Sequence, residues 1–271
     1  VIPETSYNLT VGDGGDGASF FGTLVSNFTE GENGDPSSFG DLVAYGGGVG
    51  ASWSGADPQQ FANGGSSQIG SGGGATDSAA GSVAGTGNSD SFTAVGGRGK
   101  DGGKSTFSQN QPHPAGGGGG AGEDGKNPPD VNTSGDGGDG VELSITGSAL
   151  WIAGGGGGGI HGTGADESAG GVGAGGQGGG GDGSGPQRVD WTGSNVGDNP
   201  IGESGADNTG GGGGGAGHNS GDSAHRSQGG KGGSGVVIVR YSLNPSVPTA
   251  LSAAGVDGGI TIEYDDPTYT G

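Results

Sequence analysis

The amino-acid sequence predicts a mostly β and irregular fold with essentially no α-helix, in which a small β-sandwich or jelly-roll-like framework carries an inserted bundle of polyglycine II helices. Three observations predict it. Glycine makes up 79 of the 271 residues, much of it in uninterrupted runs at 116–120, 154–159, 178–181 and 210–215. Such a run cannot propagate an α-helix against about 1 kcal/mol per residue relative to alanine, and it gives a sheet no side chains to pack. Proline is scarce, at 12 residues, and the glycines are contiguous rather than at every third position, so the composition does not fit collagen. Short apolar segments of β character separate the runs, which a Gly/Ser linker would lack.

The runs have one regular conformation open to them. An extended left-handed helix with three residues per turn and about 3.1 Å rise has no internal hydrogen bonds and points every N–H and C=O outward. Only glycine lets such helices approach closely enough for those groups to pair between neighbours. The backbone is then satisfied without a conventional core.

Segment 7–11 (YNLTV) alternates Tyr7, Leu9 and Val11 on one face, as a half-buried strand does. Segments 42–45 (LVAY), 141–145 (VELSI), 149–153 (ALWIA) and 236–241 (VVIVRY) follow as strands. Between VELSI and ALWIA only Thr146, Gly147 and Ser148 intervene, which is hairpin spacing. LVAY and ALWIA run directly into glycines, so the strands deliver the chain into the glycine helices. Composition changes after Tyr241. The expected organisation is a glycine-rich domain over 1–241, a linker over 242–247 and a second unit that begins within 248–271.

The series YNLTVGDGGDG, FGDLVAYGGG, AGGGGGAGEDG, GGDGVELSITGSALWIAGGGGGG, NTGGGGGGAG and GGKGGSGVVIVRY resembles the glycine-rich domain of marine bacteriophage tail-fibre and other virion proteins and of large bacterial surface proteins. The resemblance spans about residues 5–241 and implies packed glycine helices that display partner-binding loops. It also implies a further strand and glycine run ahead of Tyr7, so the chain is expected to be a piece of a longer protein. Pro248, Leu251 and Ala253, followed by Ile260, Ile262, Tyr264 and Pro267, resemble the opening strands of a fibronectin type III domain, with Tyr264 in the place of the usual tryptophan. Such a sandwich needs about seven strands.

With 29 acidic and 8 basic residues, the net charge of −21 opposes binding to phosphate backbones and anionic lipid. No nucleic-acid partner is expected. No stretch approaches the roughly 20 apolar residues of a membrane span, and no membrane insertion is expected. The chain has no cysteine, so no disulfide holds it together. An acidic surface on a glycine scaffold suits a salt-exposed extracellular setting.

Motifs for chemistry are sparse. At this glycine frequency GxGxxG arises by chance in about one window in forty and carries no weight. Gly103-Lys104-Ser105 lacks the first glycine of a phosphate loop, Arg98 standing in its place, and no strand precedes it. His113, His161, His218 and His225 fall among loops with no helix to bring two onto one face, and read as solvated polar residues rather than zinc ligands. The pairs Asp13/Asp16 and Asp136/Asp139 each sit in GDGGDG. Calcium is one reading, because hard cations take carboxylate and carbonyl oxygens together. Turns in which Asp bonds locally to the backbone are the other, favoured because no calcium-binding nonapeptide repeat recurs in register. No Ser-His-Asp set or paired-carboxylate set can be placed, so neither an enzyme nor a cofactor is expected, Ca2+ being the one candidate ion.

The less glycine-rich segments carry the candidate binding residues. Trp53 and Phe61 lie in 52–62, His113 in 107–115, and Arg188 and Trp191 in 186–201. Aromatic groups on loops offer flat apolar area at low entropic cost, suited to stacking on a sugar or filling a protein pocket; they serve equally to cover the ends of a bundle. The expected function is a structural and adhesive module of a phage tail fibre or other virion appendage, with a host-surface glycan or protein and other virion proteins as partners. A bacterial cell-surface adhesin or filament, and a spacer that binds nothing, are the alternatives.

Overall fold

Glycine runs leave a chain with little but backbone amides and carbonyls to bond, and the fold is organised by pairing them. The computed structural model describes residues 6–21, 28–48, 50, 71, 99–105, 113–162, 171–185, 201–219, 226–240, 251–256 and 259–264. Segment 153–160 lies at the centre of the pairing. The amides of Gly154, Gly157 and Ile160 donate to the carbonyls of Gly178, Gly181 and Ser184 at 2.9–3.1 Å. Those of Gly155 and Gly158 donate to Gly138 and Gly135. The carbonyls of Ala153, Gly156 and Gly159 accept from Ala121, Gly118 and Ala115, those of Gly154 and Gly157 from Gly212 and Gly215, and those of Gly155 and Gly158 from Gly176 and Gly173.

Every partner series advances by three residues, which is the turn of a polyglycine II helix. No glycine in 154–159 or 211–215 has a positive φ, so the runs keep to one conformation. The same rule holds away from the centre. Gly229, Gly232 and Gly235 donate to Ala18, Gly15 and Gly12, while Ser134, Gly137 and Gly140 donate to Gly171, Ala174 and Gln177.

Side chains are excluded by this spacing. A Cβ on Gly156 would fall on the carbonyl oxygen of Gly213, one on Gly213 on that of Gly230, and one on Gly155 on that of Gly118, each well under 3.0 Å. By contrast, nothing lies within 4 Å of a Cβ at Gly47.

The strands are β1 (Leu9–Thr10), β2 (Ser19–Phe21), β3 (Phe28–Thr29), β4 (Ser37–Phe39), β5 (Leu42–Ala44), β6 (His113–Pro114), β7 (Val141–Leu143), β8 (Leu150–Ile152), β9 (Ile160–Gly162), β10 (His218–Asn219), β11 (Arg226–Gln228), β12 (Leu251–Val256) and β13 (Gly259–Tyr264). Among the described residues no helix occurs, and the fold is mostly β and irregular as expected. The β part is finer-grained than one sandwich: three-stranded sheets β1-β4-β5, β10-β9-β6 and β11-β2-β3, and hairpins β7-β8 and β12-β13. Most strands are two or three residues long because the glycine runs they lead into take over the bonding. Apolar burial is correspondingly small: among the described residues Ile160 and Ala121 are the buried hydrophobic side chains, with Pro114 and Ser134 also enclosed.

The VELSI–ALWIA hairpin forms with Val141 opposite Ile152 and Leu143 opposite Leu150, and Gly147 takes the positive φ its loop requires. Segment 7–11 contributes only β1. Its apolar face covers no core: Leu9 and Val11 are 52% and 45% exposed, and Tyr7 is partly buried. Residues 236–240 form no strand, contrary to expectation. Their β-branched side chains fit a half-buried surface, which 236–238 have, without needing a ladder partner.

The chain divides into two compact units. One is Leu9–Val237, which holds the whole glycine lattice; the other combines Val1–Asn8 with Ile238–Gly271 and contains the six-residue antiparallel pairing of β12 with β13.

Substitution inside the lattice is expected to be far costlier than at its margin. Gly156→Val must displace neighbouring runs and break several inter-run bonds at about 1 kcal/mol each, so it should prevent folding or lower the Tm by about 10 °C or more in a thermal melt. Gly47→Ala should melt within about 2 °C of the parent.

Candidate functional site

Pairing by threes fixes which chain segments end together. Tight turns at Gly40–Asp41, 121–123, 145–148, 177–179 and 207–210 close one end of the lattice, with positive φ at Gly40, Gly147, Gly178, Gly179, Asn208 and Gly210. The opposite end is built differently. Gly103 donates to Gly117, which brings Ser105 level with Ala115; Ser134 donates to Gly171 and, through Oγ, to Gly159; Ser184 donates to Gly215 and accepts from Gly217. Ile201 bridges to Gln228, and β11 pairs with β2, which pairs with β3. The described residues that border segments 22–27, 106–112, 163–170, 186–200 and 220–225 therefore all lie at this one end.

Four of the five expected ligand-binding residues, Trp53, Phe61, Arg188 and Trp191, lie outside the described residues. Arg188 and Trp191 belong to the insert flanked by Gly185 and Ile201 at this end. His113 lies on β6, half-buried and next to the enclosed Pro114.

The acid pairs have identifiable roles in the lattice. A D-x-x-D spacing equals one turn of a three-residue helix, so both carboxylates share a face. Asp136 and Asp139 use Oδ1 to accept the amides of Ala174 and Gln177, both at 2.8 Å, stitching one run to the next. Asp182 and Asn127 accept the amides of Gly175 and Lys104 in the same manner. Asp13 and Asp16 face a cation already supplied by the chain: the Lys231 ammonium is 3.2 Å from Asp13 Oδ2 and 3.8 Å from Asp16 Oδ1. Its hydrogen bond, with help from the Gly14 amide, holds the Asp13 carboxyl below the usual range, and Asp13 raises Lys231 in return. A shallow polar groove lined by Asp101, Lys104, Glu123, Asp124, Lys126 and Asn127 contains the Lys126–Glu123 ion pair, which lowers Glu123.

Among the described side chains no three His, Asp or Glu gather where they could hold a metal ion. The backbone register shows something else that sequence reasoning missed. His161 of β9 is the register partner of His113 on β6 and of His218 on β10, so three of the four histidines form one cross-strand row. The expectation that these three fall among loops is thereby corrected. No helix is needed, because adjacent strands bring them together. A signal was present: each lies within three residues of the end of a glycine run.

A family model described as a glycine-rich domain matches residues 1–242 of the chain. No curated protein and no solved structure matches it.

Two outcomes test these assignments. Asp136→Asn keeps an acceptor for the Ala174 amide and should leave the Tm unchanged, whereas Asp136→Ala strands that amide at about 1 kcal/mol and should lower it by about 2–4 °C. For the Lys231 bridge, the lowered Asp13 gives a contribution present above about pH 4 and lost as pH falls through its folded value. The raised Lys231 gives one present below about pH 10 and lost as pH rises through its folded value. The Tm difference between parent and Lys231→Gln should be small at pH 7 and vanish near pH 2 or in about 1 M salt.

Proposed function

Because the chain belongs to the glycine-rich domain family, we propose that it is a structural and adhesive module of a phage tail fibre or other virion appendage. The polarity of the lattice carries this reading: one end is closed by turns, while the residues flanking five inserts emerge together at the other. A rigid scaffold that carries connecting segments at one pole is the arrangement by which loops present a recognition surface. Trp53, Phe61, His113, Arg188 and Trp191 are the contact residues in this proposal, and a host-surface glycan or protein is their ligand. Other virion proteins hold the module in place. It performs no catalysis, binds no nucleic acid and works on the outside of the particle.

A bacterial cell-surface adhesin is the second reading. The β12–β13 hairpin favours it, since its antiparallel pairing is what the opening strands of a fibronectin type III-like domain make.

Binding of the chain to a glycan array and to candidate host cells tests the adhesive role. Replacing Trp53, Arg188 and Trp191 together by Ala should reduce attachment by at least about 100-fold while leaving the Tm and circular dichroism unchanged. Full attachment by the folded variant would remove these residues from the proposal. No attachment by the parent to any glycan or host surface would favour a spacer.

A further inference from the structure

We propose that His113, His161 and His218 form a binding site for one divalent transition-metal ion of intermediate softness, such as Zn2+ or Ni2+, at the insert-bearing end of the lattice. The inference rests on register and stands apart from the adhesive reading. His161 is paired directly with His218 in the parallel ladder of β9 with β10 and directly with His113 in the antiparallel ladder of β9 with β6. Directly opposed residues share one side of a sheet, with Cβ atoms about 5 Å apart. The outer two positions are thus about two strand spacings, or 10 Å, apart. A row of that length is within the span of a three-histidine site.

The lattice determines this row. β6 leads into run 115–120, β9 leaves run 153–159 and β10 leaves run 211–217. Run 153–159 is bonded to both of the others: Ala115 donates to Gly159, Gly118 to Gly156, Gly212 to Gly154 and Gly215 to Gly157. A slip of one residue between any two would break every bond in its series, because each series repeats only every third residue. The pairing that satisfies the glycines therefore also holds the three histidines in line, although they come from positions far apart in the chain.

The chemistry of the set selects the ion. Neutral imidazole suits Zn, Ni and Cu, whereas Ca2+ and Mg2+ require oxygen donors. The chain has no thiol to compete for the ion, and its net charge of −21 concentrates cations around it. Binding would tie together the ends of the central run and the two runs bonded to it, and because an unfolded chain offers no such row, it would stabilise the fold increasingly as free ion rises above Kd.

The test uses the full chain without a polyhistidine tag, stripped with a chelator and titrated with Zn2+ under equilibrium dialysis, with the Tm followed in parallel. One ion per chain is expected, with a Tm that rises with free Zn2+ and falls back when chelator is restored. His161→Ala, which removes the central ligand, should weaken binding by at least about tenfold and abolish the Tm rise, while His225→Ala, outside the row, should bind like the parent. No saturable binding by the parent, or equal binding by His161→Ala and the parent, overturns the proposal. Should His161→Ala fail to fold, Co2+ added to the parent decides. Visible absorption of imidazole-ligated cobalt, displaced by Zn2+, supports the site, and its absence overturns it.

Discussion

Everything in this structure depends on the pairing of backbone amides and carbonyls between helices that make no hydrogen bonds of their own. A polyglycine II helix turns its polar groups outward in three directions, and each direction is satisfied only by a parallel or antiparallel neighbour at contact distance. Segment 153–160 meets this demand through five other segments at once. The distance at which the bonds form leaves no room for a Cβ, which is why Gly154 through Gly159 are all glycine and why the lattice needs so few apolar side chains. In an ordinary domain hydrophobic burial drives collapse and hydrogen bonds are fitted to it. Here the buried apolar side chains reduce to Ile160 and Ala121 among the described residues, and the hydrogen-bond lattice is itself the interior.

A lattice of this kind has open margins, and the margins explain much of the polar composition. An amide that finds no carbonyl on the neighbouring run needs another acceptor, and a carboxylate on that run provides a charge-assisted one. Asp136, Asp139 and Asp182 do this for Ala174, Gln177 and Gly175, while Ser37, Ser184 and Ser234 do it with hydroxyl oxygens for Gly12, Gly217 and Asn208. The excess of acid is in part a consequence of architecture. Lys231 between Asp13 and Asp16 shows the complementary device, a cation held where two carboxylates share a face.

Because the runs are locked in register, the two ends of the lattice are free to differ. Turns that need positive φ at glycine or asparagine gather at one end, and the flanks of the inserts gather at the other. The frame between them is fixed chiefly by backbone bonding, helped by a few Asp and Ser side chains at its margins.

The sequence by itself determined the conformation of the runs and the absence of helix among the described residues, because contiguous glycine leaves only one regular backbone state that can be satisfied. It also determined the hairpin from Val141 to Ile152, since three residues including Gly147 separate two alternating apolar segments. The spacing of Asp136 and Asp139 was legible as a repeated motif, but its role was not. Which run lies beside which is invisible in a string of identical residues: Gly156 beside Gly213 and Gly159 beside Ala115 follow from the packing of the whole lattice, not from any local preference. The same holds for VVIVRY, whose β-branched character fitted a half-buried surface without a strand partner. The alignment of His113, His161 and His218 was likewise decided only by the tertiary structure, since a row across three strands is set by which runs are neighbours, and glycine carries no side-chain information to choose them.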